Sequence, residues 1–189
     1  ANGLVNMPKI GSQALVGQSL GANNQEQTKN YIQAAFQSSL FFALIYGIII
    51  IVFQKYLIQL FNLSDPAIIQ DAQNYLWITC GFIVFSFVNQ IFTGILTAAG
   101  HSKSTFIATT TGLVLNLDPV LIFVFNLRVI GAALATILAQ IIVTLVFLYN
   151  AKNLDLFRNI RILSKPKLNH ISEILKIGFP SSVQSMLFT

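Results

Sequence analysis

Four stretches of this chain are each apolar for long enough to cross a lipid bilayer, and nothing else in it constrains the fold so strongly. Crossing the hydrocarbon core as a helix takes about 20 predominantly apolar residues. The first stretch runs from about Ala34 to Phe53 and the second from about Tyr75 to Ala99. The third runs from about Thr105 to Phe125 and the fourth from about Val129 to Tyr149. With 54% of residues hydrophobic and 9% charged, against roughly a quarter charged in a soluble domain, water is the wrong solvent for most of the chain. The expected fold is all-α, a polytopic transmembrane helical bundle. Residues 1–20 read as the tail of a further helix ending at Gly21-Ala22-Asn23. From Ile174 to Thr189 another apolar segment begins and stops too soon to cross, so the chain reads as a piece of a longer protein.

A net charge of +5 and a pI near 9.5 would suit nucleic acid if the cations were clustered. They read instead as residues of the connections. If the spans alternate direction, one side receives Lys29, Lys103, Lys152, Arg158, Arg161, Lys165, Lys167 and Lys176, and the other only Lys55 and Arg128. The positive-inside rule then places the loops around 21–33, 100–104 and 151–173 in the cytoplasm. Nucleic acid is not an expected partner. The connection from about 150 to 170 carries five basic residues and Asp155, which fits a joint between two bundles or a solvated linker near anionic lipid headgroups. Ser64-Asp65-Pro66 reads as a cap followed by proline at a helix start. Cys80, the one cysteine, lies inside a span and reads as a small packing residue.

Polar side chains within spans must find partners away from lipid. Ser86, Asn89, Gln90, Thr93 and Thr97 share one face of the second span, and Thr136, Gln140 and Thr144 recur every fourth residue in the fourth. Such stripes mean either interhelical hydrogen bonding or the wall of a wet cavity. Asn89, Gln90, Thr93 and Gln140 are therefore candidate cavity-lining residues. Asp118 is the one acid within these spans, at an insertion cost of about 2.5–3.5 kcal/mol. Pro119 after it frees a carbonyl near Leu115. The pair reads either as support for a kink or as a cation or proton site built from a carboxylate and a locally opened helix. Counting about 1.5 Å per residue, Asp118 lies about 12 Å and Thr136 about 10 Å from the outer surface, so the two can meet. Asn116 joins them only if the helix is unwound, because two residues apart they point to nearly opposite sides.

The segments GSQALVGQSLGA at 11–22, GILTAAGHSKSTF at 94–106, GLVLNLDPVLIF at 112–123 and IGAALATILAQ at 130–140 resemble, in order, those of the multidrug and toxic compound extrusion (MATE) transporters. The resemblance implies a partial first lobe over residues 1–149, from the end of helix 2 through helix 6. It further implies a cytoplasmic inter-lobe loop at 150–170 and the start of a second lobe, a truncated helix 7, at 171–189. Such proteins resemble two six-helix lobes that open alternately to either side. The function implied is secondary active export of organic, often cationic, xenobiotics against Na+ or H+, in a multi-pass protein of the cell membrane, by expectation a bacterial inner membrane. The resemblance assigns cation or proton coupling to Asp118, Thr136 and Asn116, with Na+ possible at Asp118. It calls for no cofactor beyond the coupling ion, no resident metal and no required oligomer; the expected partners are small molecules and membrane lipid.

Two departures from the family pattern stand out. Asn116 and Asp118 are two residues apart where the family keeps them four apart on one helical face, and His101 replaces an acid or amide in a loop. A lipid-linked precursor flippase or a nonfunctional fragment are the alternative readings; the flippase would need basic residues in its cavity. An enzyme would need convergent nucleophile and base or metal ligands. With His101 and His170 reading as loop residues and Cys80 alone, none is expected. The 16 phenylalanines read as packing or lipid-facing residues.

Overall fold

Helix ends set the topology. Where the first helix, α1 (Asn2–Gly21), stops, Asn23 takes φ 55°. The N–H of Asn23 donates to the Leu20 carbonyl and that of Asn24 to the Ser19 carbonyl, both at 3.0 Å, the pattern of a Schellman stop. The Asn24 carboxamide oxygen then accepts the N–H of Gln27 at 3.1 Å, and its NH2 donates to the Gln27 side chain at 3.2 Å. This side-chain cap starts α2 (Gln25–Leu60) and turns the chain back on itself. The same stop recurs at Gly100, φ 78°, where His101 N–H donates to Leu96 O at 2.8 Å and Gly100 N–H to Thr97 O at 3.1 Å.

In this computed structural model, described over residues 2–60, 66–114, 128–158, 160 and 165–187, every regular element is helical. After α2 come α3 (Pro66–Gly81), α4 (Ile83–Ala98), α5 (Ser102–Val114), α6 (Arg128–Lys152), a 3-10 turn at Asp155–Phe157, and α7 (Leu168–Leu187). Pro66 opens α3 as expected, at a position where its missing N–H costs no helical bond. Among the described residues two helices are long and apolar enough to cross a bilayer, within Gln25–Gln54 and Ala133–Lys152, and the pair Ile68–Gly81 and Ile83–Ala98 passes when joined across its 44° bend. The third expected span is described only as far as Val114; residues 115–127, which include Asn116 and Asp118, lie outside the described residues.

The second expected span, 75–99, is therefore not one straight helix. Gly81 weakens the helix, and at Phe82 the backbone (φ −110°, ψ 5°) leaves helical geometry. In the long connection Leu154, Leu156, Phe157 and Ile160 pack against the core, while Lys152, Asn153, Asp155 and Arg158 stay exposed. α7 begins at Leu168, where Leu168, Ile171, Ile174 and Leu175 set a helical apolar spacing. His170, expected in a loop, is a half-buried helical residue whose ring meets Tyr31 edge-on at 5.1 Å.

The core lies where α1, α2, α4 and α6 converge, around Val16, Ile32, Ile95 and Phe147. Phe92 is its hub, with ring centroids 5.0 Å from Phe36 and 5.5 Å from both Phe147 and Phe157. On the outside the polarity is that of a membrane protein. Phe41, Leu44, Ile48 and Val52 form one stripe of α2, each 60–62% exposed, a face that only lipid or another apolar partner would cover without cost. Cys80 is buried, as its packing role requires. α7 packs most extensively on α1 and also on α2. Glycine makes this possible: a side chain at Gly11 would collide with the Ile174 carbonyl, and one at Gly178 with that of Met7.

Candidate functional site

Beside the break at Phe82 the helices part to enclose a cavity of about 890 Å³. α2 contributes Tyr46 and Ile50, α3 contributes Thr79 and Cys80, and α5 contributes Thr109, Gly112 and Leu113. The polar wall comes from α4 and α6. Ser86, Asn89, Gln90 and Thr93 of α4 line it together with Thr136 and Gln140 of α6. Thr97, last in the α4 stripe, falls outside this wall; it is exposed and donates to the Thr93 carbonyl at 2.7 Å. Among the described lining residues none carries a formal charge.

The two stripes are bonded together as well as lining the cavity. Asn89 Nδ2 donates to the Gln140 backbone carbonyl at 3.0 Å and to Gln140 Oε1 at 2.7 Å. The Thr144 hydroxyl lies 2.8 Å from both Asn89 Oδ1 and the Gln140 carbonyl. Asn89 and Thr144 are buried and Gln140 half-buried, so the bonds are made in a low dielectric where leaving them unmade would be costly. Sequence spacing offered hydrogen bonding and a cavity wall as alternatives; this structure contains both. Thr144 belongs to the α6 stripe yet holds its position through Asn89.

Thr136 sits on the cavity side of α6, one turn before Gln140. Its expected partners Asp118 and Asn116 lie outside the described residues. Lys9 breaks the expectation that the cations occupy connections. It is half-buried within α1, and its backbone accepts the Ser12 hydroxyl at 2.9 Å and crowds Gly94 of α4. Its place between Pro8 and Ile10, in a segment read as helical, was the available signal. Asn6, Thr79 and Thr109 also line the cavity without belonging to either stripe.

At the other end of α2, the Tyr31 hydroxyl donates to Glu173 Oε2 at 2.6 Å and Lys167 Nζ donates to Asn30 Oδ1 at 2.7 Å, clasping α2 to the start of α7.

A polar-walled cavity beside a broken helix, inside a bundle with an apolar exterior, is an arrangement used by transporters. The model of the MatE family matches residues 8–122. The chain belongs to the MatE family. Its members are multi-pass membrane transporters rather than enzymes, which places this chain in the cell membrane. It is 30% identical over 190 residues to the multidrug export protein MepA of Staphylococcus aureus (strain NCTC 8325 / PS 47), covering 98% of this chain and 42% of that protein. It is 28% identical over 201 residues to MepA of Staphylococcus saprophyticus, again covering 98% and 42%. Among solved structures it matches the inward-facing conformation of a multidrug resistance MATE family transporter of the MOP superfamily at a TM-score of 0.85, with 23% identity over 96% of this chain and 42% of that one. An outward-facing conformation of such a transporter matches at 0.83, with 22% identity over 97% and 42%. Those two likenesses show the fold. The MatE chain described here thus spans about two-fifths of the length of these relatives.

Proposed function

We propose that this chain supplies the first lobe of a secondary active exporter, one that moves organic, often cationic, compounds outward against an inward flux of Na+ or H+. In this reading α1–α6 form part of the first lobe, the segment after α6 is the joint, and α7 opens the second lobe. The observation that carries it is the cavity among α2 to α6, whose described walls combine uncharged polar side chains with apolar ones and so suit amphipathic organic compounds. The MepA relatives, which are multidrug export proteins by name, support the same reading.

Coupling needs only that ion and compound favour different lobe arrangements. Asp118 would load the Na+ or H+, with Thr136 and Asn116 as further polar groups, while the compound occupies the cavity. The test is ethidium export by the full-length protein in liposomes under an imposed Na+ or H+ gradient. Wild type should export the dye under one gradient, and Asp118→Asn should still bind dye but lose gradient-driven export. Undiminished export by Asp118→Asn would remove the coupling role. A lipid-linked precursor flippase would set cations against phosphate, and the described cavity wall has none.

A further inference from the structure

We infer that Gln140 is a specificity-determining residue of this cavity, holding a pre-oriented pair of amide donors that selects ligands carrying a carbonyl-type hydrogen-bond acceptor; this rests on the export reading above. Amide oxygen and nitrogen look alike in shape, so their assignment must come from partners. Here the partners settle it. A backbone carbonyl can only accept, so the Asn89 atom 3.0 Å from the Gln140 carbonyl is the nitrogen. The other end of Asn89 is then the oxygen, which takes the Thr144 hydroxyl at 2.8 Å. Because Asn89 Nδ2 donates, the Gln140 atom 2.7 Å from it is Oε1. Gln140 therefore keeps its NH2 group for the cavity that it lines, and that group has no partner among the described residues.

The neighbouring hydroxyls sharpen the contrast. Thr93 and Thr109 spend their hydrogens on the carbonyls of Asn89 (2.8 Å) and Thr105 (2.9 Å), so they offer a ligand only lone pairs. Among the described residues Ser86 and Gln90 make no such bonds and can turn either way, which lets them meet donors and acceptors alike. Gln140 is the lining group whose donor orientation is fixed by two buried residues. A ligand that leaves those donors unmet forfeits a hydrogen bond in a desolvated site, and a site built to hydrogen-bond a ligand rejects analogues that lack the partner. Asn89 and Thr144 are positioning residues in this scheme.

Two cations of one charge and nearly one shape read it out: tetraphenylphosphonium, which has no acceptor, and (4-acetylphenyl)triphenylphosphonium, which adds one ketone. Binding is measured by isothermal titration calorimetry on full-length protein in nanodiscs, separately from transport. Wild type should bind the ketone about tenfold more tightly. Gln140→Met should bring the two affinities together by weakening the ketone alone. Thr144→Val should lower the ratio part-way, and Thr144→Ser, which keeps the hydroxyl, should restore it. Equal binding of the two cations to wild type, no binding of either, or an equal loss of both in Gln140→Met would each overturn the inference. If the ratio collapses as expected while neither cation is exported, the donor site stands and the export reading falls. If both are exported and the ratio ignores Gln140, the reverse holds.

Discussion

Asn24 ends one helix with its backbone and begins the next with its side chain. Replacing it with Ala should cost about 1 kcal/mol, read as a lower midpoint of thermal unfolding of the full-length protein. Asn24→Asp, which still accepts the Gln27 N–H, should lose much less. Equal midpoints for wild type and Asn24→Ala would contradict the capping role. At this scale the sequence was informative about position and silent about pairing. Asn89 and Gln140 were visible because a helix repeats nearly every four residues. That Asn89 would reach the Gln140 backbone depends on where α4 crosses α6, which no local pattern encodes. Lys9 was missed for a related reason: a cation in a helical segment draws notice only when the whole segment is known to pack against its neighbours, as α1 does against α4 and α7.

Between elements, the crossing of α1 and α7 is where two glycines let backbone meet backbone. Gly11→Ala must push the helices apart and should destabilise by about 1–3 kcal/mol, the usual cost of overpacking. Gly21→Ala, with open space around the added methyl, is the matched control and should change little. Similar unfolding midpoints for the two variants would show that the crossing is looser than described. Tyr31→Phe removes the hydroxyl that reaches Glu173 and should release α7 at its N-terminal end, seen as faster amide exchange over residues 168–173 with the rest unchanged; unaltered exchange there would argue against the clasp. Long apolar elements were legible from hydropathy alone, α2 and α6 above all. The bend at Phe82 was not, because one glycine in an apolar run is compatible with a straight helix. The start of α7 was placed late because Lys165-Pro166-Lys167 and the polar residues after it mask the apolar spacing that begins at Leu168.

For the molecule as a whole, solvent decides the design. The helices turn large apolar residues outward, Phe106 at 70% and Leu145 at 59% exposed, and set uncharged polar groups around a cavity on the inner side. A compound exported through this cavity must shield its wall, and site-directed labelling reads that shielding. In a cysteine-free full-length protein, Thr93→Cys is placed on the cavity wall and Lys103→Cys on the exposed start of α5, and each is labelled with a maleimide with and without saturating ethidium. Ethidium should slow labelling at position 93 several-fold and leave position 103 unchanged. Equal labelling of Thr93→Cys with and without bound ethidium would place the compound elsewhere and contradict export through this cavity.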